Sequence, residues 1–181
     1  DTGALWSAGL QPTARAPDRY EVQRALKHFV IEREDFGITS VMSVSVQDDV
    51  EVRRLRLCNR SNQVRRIEVT SYLEIALVQP NVDLSHPAFA KLFVQTEIAG
   101  PGVLVAQRRP RASDESWPTM FHSLHGAPVE RWETDRLQFI GRGRSPARPA
   151  MEMRGTVGNV LDPIFSLSTT LTLPPGTTRE L

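Results

Sequence analysis

From Arg66 to Glu97 the chain reads RIEVTSYLEIALVQPNVDLSHPAFAKLFVQTE, and its apolar and polar positions change rhythm halfway. Ile67, Val69, Ser71, Leu73, Ile75 and Leu77 fall on one face, and Glu68, Thr70, Tyr72, Glu74, Ala76 and Val78 on the other. A period of two predicts a long strand in a sheet covered on one side. After Pro80 the alternation stops. Asn81, Asp83, Ser85, His86 and Pro87 form a polar excursion, apolar residues resume at Phe89, Leu92 and Phe93, and a short strand from Leu92 to Glu97 returns to the sheet.

The same reading applied to the rest of the chain gives a series of short strands. DTGALW suggests a brief strand at Ala4–Trp6, and Gly9, Pro12 and Pro17 mark an irregular loop after it. Tyr20 to Glu34 reads as two strands broken near Ala25–Lys27, with a tight turn at Asp35-Phe36-Gly37. ITSVMSVSVQ sets Ile38, Met42, Val44 and Val46 against Thr39, Ser43 and Ser45, a half-buried strand. In Val50–Leu57 the alternation slips at Arg53-Arg54, which a bulge or a switch of face would each explain. With the Asp48-Asp49 and Asn59–Asn62 turns, Ile38 to Val78 is expected to form a three-stranded antiparallel meander.

Further along, VLVAQ predicts a buried strand, and Met120–Leu124 with Val129–Trp132 a hairpin around Gly126-Ala127-Pro128. Thr134–Ile140 reads as a helical or irregular turn, and Pro163–Leu173 as a last half-buried strand. No helical period is sustained, so the class is all-β, with a large sandwich favoured over a small barrel.

Composition narrows function mainly by exclusion. With 181 residues the chain suits a single domain spanning residues 1–181, and 40% hydrophobic residues suffice for a core. Lys+Arg at 22 against Asp+Glu at 21 gives no global attraction to nucleic acid. The lone Cys58 excludes an internal disulfide framework and sits where a small buried hydrophobe is expected. No apolar run approaches the roughly 18 residues of a membrane helix, so no direct membrane insertion and no secretion leader are expected. A start at Asp1 without Met and a stop after PPGTTRE suggest a piece of a longer polypeptide.

Candidate chemistry is sparse. His122 and His125 stand three apart, but on a strand such residues point to opposite faces, so neither a metal site nor any cofactor is expected. His86, beside Pro87, is expected to hydrogen-bond the loop with its side chain. Glu130 with Glu133, or Glu133 with Asp135, has the residue types of a glycosidase acid and base, at spacings that recur on solvated faces. Gly141-Arg142-Gly143-Arg144-Ser145 offers amides and guanidiniums to an anion but lacks the flanks of a phosphate-binding loop. Asn59-Arg60-Ser61 matches the glycosylation pattern. Sugar faces stack on flat aromatic rings, and Trp117, between Ser116 and Pro118 in a polar loop, is the best candidate for such a platform. Trp132 is expected to fill core, and Trp6 could do either.

Taken in order, DTGALWSAGLQP, DRYEV, EREDFGI, DDVEVRRLRLCNRS, RIEVTSYLEIALVQP, HPAFAKLFVQTE, ETDRLQFIGRGRS, VLDPIFSL and LPPG cover nearly the whole chain. They resemble the β-sandwich that precedes the helical barrel in cyclic β-1,2-glucan synthases, and are similar to the N-terminal domain of cellobiose and chitobiose phosphorylases (glycoside hydrolase family 94, glycosyltransferase family 36). The resemblance implies a large antiparallel two-sheet supersandwich of the galactose mutarotase type, here a fragment of it. It implies an (α/α)6 catalytic barrel as partner, which holds the general acid and the phosphate site, so none of the family's catalytic residues transfers to this chain. It further implies β-1,2-glucan or a glucooligosaccharide as ligand, and a bacterial, membrane-anchored parent with this domain on the cytoplasmic side of the inner membrane. Trp117, Trp6 and Gln11 are the carbohydrate-binding candidates; Leu10 stands where an aromatic residue is expected. A homo-oligomer, formed through any exposed sheet edge, stays open. Rival readings are a self-sufficient carbohydrate-binding module, and a small hydrolase or mutarotase using Glu130, Glu133 or His122.

Overall fold

The computed structural model describes residues 3–47, 49–110, 112–114 and 118–181. In chain order its strands are β1 (Arg19–Ala25), β2 (His28–Asp35), β3 (Ile38–Gln47), β4 (Val50–Asn59), β5 (Arg65–Thr70) and β6 (Leu73–Glu74), followed by helices α1 (Pro80–Ser85) and α2 (Pro87–Lys91). Then come β7 (Val94–Gly100), β8 (Val103–Arg108), β9 (Thr119–Ser123), β10 (Arg131–Asp135), helix α3 (Arg136–Ile140), β11 (Pro163–Leu173) and β12 (Thr178–Glu180). Antiparallel pairing groups them into a five-stranded sheet β1-β2-β3-β4-β12, a sheet β10-β11-β5 with β6 also on β11, and a sheet β7-β8-β9. The chain divides into two compact units, Asp1–Glu68 with Thr170–Leu181, and Val69–Thr169.

The first unit is built on a meander. The β2–β3 connection is the two-residue turn Phe36-Gly37, closed by the pair Asp35↔Ile38. Both turn residues have positive φ, 52° and 72°, the geometry whose twist matches the flanking strands. Glycine adopts it freely, whereas phenylalanine needs support from outside the turn. β3 and β4 pair without interruption from Ile38↔Asn59 to Gln47↔Val50, so the slip at Arg53-Arg54 is a switch of face and not a bulge. Val50 and Val52 are 44% and 54% exposed while Leu57, on the other face, is buried. The outer edge of β4 is taken by β12, through Thr178↔Cys58 to Glu180↔Arg56. The expected third strand of the meander is therefore elsewhere: β5 pairs with β11. Asn59 directs the chain away. Fully buried, it donates from Nδ2 to the carbonyls of Gln63 (2.7 Å) and Leu173 (2.8 Å), and its Oδ1 accepts from the Ser61 amide and hydroxyl. With that nitrogen spent inside the fold, Asn59 is no glycan acceptor. Ala4–Trp6 forms no strand.

The second unit packs the β7-β8-β9 sheet on β11 and the Ile75 segment. Ile75, Val94, Leu104, Ala106, Phe165 and Leu167 make its core, with Trp132 against it as expected. β11 was expected to be half-buried, but its first seven residues are all buried. Phe165 and Leu167 face that core, while Ile164 joins Phe139 and Ile140 of α3 in a second one. The segments 120–124 and 129–132 do not form a hairpin together; β9 pairs with β8 and β10 with β11. The long strand predicted from Arg66 is interrupted at Ser71. Its amide keeps one ladder bond, to the Leu167 carbonyl (2.9 Å), but the Leu167 amide donates to its hydroxyl (3.0 Å) in place of its carbonyl, a side chain replacing the reciprocal ladder bond. The polar excursion then folds as α1 and α2, each with proline in its first turn, where the missing N–H costs nothing. His86 joins them: its amide donates to the Val82 carbonyl and its carbonyl accepts from the Ala90 amide.

Candidate functional site: a braced N-terminal loop

The most heavily constructed surface feature of the first unit is the loop after Trp6. Ser7 and Thr13 clasp its base: the Ser7 amide donates to Thr13 Oγ1 (3.0 Å), the Thr13 amide to Ser7 Oγ (3.1 Å), and the two hydroxyls bond each other at 3.0 Å. A further turn is closed by the Ala14 amide on the Leu10 carbonyl at 2.8 Å. Beneath it lies Arg33 on β2, 1% exposed. Its guanidinium pairs with the buried Asp35 and also donates to the carbonyls of Gly9 (2.9 Å) and Arg15 (3.0 Å). One buried cation thus fixes both limbs of the loop, and Asp35 balances its charge in an environment where an isolated charge would be prohibitive.

The Phe36 ring, carried by the left-handed turn, completes the platform. The Arg15 guanidinium lies 4.4 Å from its centroid, and Trp6 tilts against it at 5.9 Å. These contacts supply the outside support that a phenylalanine at φ 52° requires. What the loop presents is its tip. Leu10 is 42% exposed, Gln11 is exposed and joined to Pro12 by a cis peptide, and Trp6 is half-buried. Gln11 therefore offers two amide donors and a carbonyl acceptor from a loop with little freedom left. Trp117 lies outside the described residues. Two of the carbohydrate-binding candidates read from the sequence, Gln11 and Trp6, lie on this loop, whereas the Arg33 and Asp35 that brace it were not singled out; their signal was a charged pair on the apolar face of an alternating strand.

The remaining candidates are placed by the second unit. Glu133 is 0% exposed and is a structural anion. Its Oε1 accepts from the amides of Thr134 and Asp135, both at 2.9 Å, and its Oε2 from the Arg154 amide (3.0 Å) and the Thr156 hydroxyl (3.2 Å). Asp135 caps α3 by accepting from the Leu137 amide at 2.8 Å. Neither carboxylate is free to act as acid or base on a glycoside. His122 bonds Ser71 Oγ at 2.8 Å and stacks on Phe165, whereas His125 bonds Ser123. Among the described residues no three His, Cys, Asp or Glu side chains gather as metal ligands. Cys58 is half-buried. Arg142 and Arg144 stand exposed on their loop.

Four separated sequence blocks meet in one polar network of this unit. Tyr72 Oη donates to Glu74 Oε1 (2.7 Å), Arg136 Nε donates to the same carboxylate (3.0 Å), Arg136 also faces Asp162 at 3.7 Å, and Lys91 of α2 bonds Asp162 at 2.7 Å. Burial, reinforced by the neighbouring carboxylate, pushes the Tyr72 phenol up to about 12. The hydrogen bond from Tyr72, followed by that from Arg136, holds Glu74 below its ordinary value. The phenol is neutral and the carboxylate charged at neutral pH. The network ties α2 and α3 to the β6 strand and the segment at Asp162.

Comparison with known proteins gives the family. The family model of the glycosyl hydrolase 94 supersandwich domain matches residues 1–181. The chain is 36% identical to the cyclic beta-(1,2)-glucan synthase NdvB of Rhizobium meliloti (strain 1021) over 192 residues, covering 97% of this chain and 7% of that protein. It is 27% identical to the solabiose phosphorylase of Paenibacillus borealis and 23% identical to the N,N'-diacetylchitobiose phosphorylase of Vibrio proteolyticus, covering 97% of this chain and 23% of each. The chain thus spans less than a quarter of the length of these relatives. The resemblance read from the motif blocks and the antiparallel all-β fold meet in one assignment: the chain belongs to the glycosyl hydrolase 94 supersandwich-domain family.

Proposed function

We propose that this is a non-catalytic domain that packs on an (α/α)6 catalytic barrel of a longer polypeptide and lends its braced loop to carbohydrate binding, with Gln11 as the contact residue. The observation that carries the reading is Arg33, a fully buried cation spent on the carbonyls of Gly9 and Arg15. Holding an exposed polar tip rigid contributes little to a core, but it lowers the ordering cost of binding. The absorbed carboxylates support the non-catalytic half, because Glu133 and Asp135 are committed to backbone donors. Among the described residues no helix is long and apolar enough to cross a membrane. The name of the glucan synthase relative suggests β-1,2-linked glucose as the sugar.

Titration of the chain with β-1,2-glucooligosaccharide to millimolar concentration, followed by 15N NMR, tests this. The Gln11 side-chain amide and the amides around it are expected to shift, Gln11→Ala to abolish the loop response, and the chain to release no reducing sugar and interconvert no anomers. A loop that stays silent at millimolar sugar would reduce the domain to a packing partner. Sugar release or anomer exchange by the purified chain would make it an enzyme.

A further inference from the structure

The outward face of the β7-β8-β9 sheet has the composition of a recognition surface. Residues opposite one another in register share a face, so Gln95, Gln107 and Thr119 form one row across the three strands, and Glu97, Val105 and Phe121 the next. The inward residues between them, Thr96, Leu104 and Ala106, are buried. On the outward face Phe121 is 60% exposed, and Gln95, Glu97, Gln107 and Thr119 are all exposed.

The face is also concave. Gly158 bridges Thr96 through reciprocal backbone bonds of 3.0 and 2.7 Å, laying the 158–159 segment beside β7 as a wall. A groove of ≈ 290 Å³ results, lined by Gln95, Glu97, Val105, Gln107 and Asn159 among others. Within these rows Gln107 Nε2 donates to Thr119 Oγ1 at 3.3 Å.

We infer that this face is a carbohydrate-binding site separate from the Gln11 loop. An exposed ring beside a flat floor accepts the C–H face of a pyranose, and the amides of Gln95, Gln107 and Asn159 supply donors and acceptors in pairs, the pattern that a sugar's hydroxyls require. Glu97 adds a charged acceptor, which shortens and strengthens hydrogen bonds from hydroxyls. With neighbouring strands about 4.8 Å apart, the rows span roughly 10 Å, room for more than one sugar ring. No group in the groove is placed to cleave a bond, so the site holds glycan without transforming it. The ligand class rests on the proposed function, but the geometry of the site does not.

The same NMR titration with β-1,2-glucooligosaccharide reads both sites. Amides of Gln95, Glu97, Gln107, Phe121 and Asn159 are expected to shift in both the wild type and Gln11→Ala. Phe121→Ala is expected to weaken that response roughly tenfold while the loop response persists. Because Phe121 is exposed, its removal should leave the melting temperature within about 2 °C of wild type. Gln107→Ala provides a second variant, at another exposed residue, and is expected to weaken the response severalfold. Sheet amides that stay still at millimolar sugar, or a Phe121→Ala protein that binds as wild type does, would overturn the site. If the loop responds and the sheet does not, this inference falls alone; if the sheet responds and the loop does not, the proposed loop role falls instead.

Discussion

Glu133→Ala is expected to destabilise the protein by roughly 3–5 kcal/mol and to lower its melting temperature by about 8–15 °C. The residue is wholly buried, and its carboxylate accepts from three backbone amides and the Thr156 hydroxyl. Removing it strands four donors where water is excluded, and each unsatisfied buried group costs on the order of 1–3 kcal/mol before relaxation. Glu133→Gln keeps an acceptor oxygen but replaces the other with an NH2 that must face the Arg154 amide or the Thr134 and Asp135 amides, so an intermediate loss is expected. Thermal unfolding followed by circular dichroism gives the order wild type, Gln, Ala. A melting temperature unchanged in Glu133→Ala would show that the carboxylate is not the structural anion described here, and would reopen its use as an acid or base.

The second large effect is expected at Arg33. Removing one member of a buried ion pair leaves the other charge uncompensated, and such losses run about 3–5 kcal/mol. Arg33→Met should therefore cost that much, since both side chains of the pair are almost wholly buried. Arg33→Met/Asp35→Leu removes both charges together and should recover part of the loss. The loop separates stability from bracing. Gly9 and Arg15 lose their donor in either variant, so amide exchange around residues 8–12 should speed up in both, whatever the global stability. If exchange in the loop is unchanged in the double variant, the guanidinium is not what holds it.

The strands of the first unit were legible in the chain because alternation is strong and the turns are chemically explicit: Phe36-Gly37 is tight, and the break at Leu26-Lys27 falls where expected. Pairing partners were less legible. Nothing local in VEVRRLRLCN says that β4 will take β12 as its neighbour, more than a hundred residues away, in place of β5. The break at Ser71 was hidden for a related reason. Its position fits the alternation, and only the distant Leu167 backbone turns its hydroxyl into a substitute for a ladder bond. The two short helices were masked by polar residues and prolines, which read as loop but also suit a first helical turn. Of the candidate loop, Gln11 was put forward with the family resemblance, whereas Arg33 and Asp35 required the fold, since a charge on an apolar face looks like noise until its partners are in place.

Tyr72 and Glu74, Lys91, Arg136 and Asp162 come from four blocks and meet in one network. Under the proposed function the part left to this domain is recognition, through side chains exposed on a rigid support.

The most direct test of that claim loosens the support and leaves the contact residue in place. Ser7→Ala/Thr13→Ala removes the reciprocal clasp at the loop's base, at a cost of about 1–2 kcal/mol for exposed or half-buried hydrogen bonds, leaving the fold intact and Gln11 present. Titrated with β-1,2-glucooligosaccharide, this variant should show a severalfold weaker response of the Gln11 resonances, with the melting temperature lowered by no more than a few degrees. A clasp variant whose loop binds the sugar as tightly as wild type does would contradict the claim that the domain contributes a pre-built carbohydrate contact.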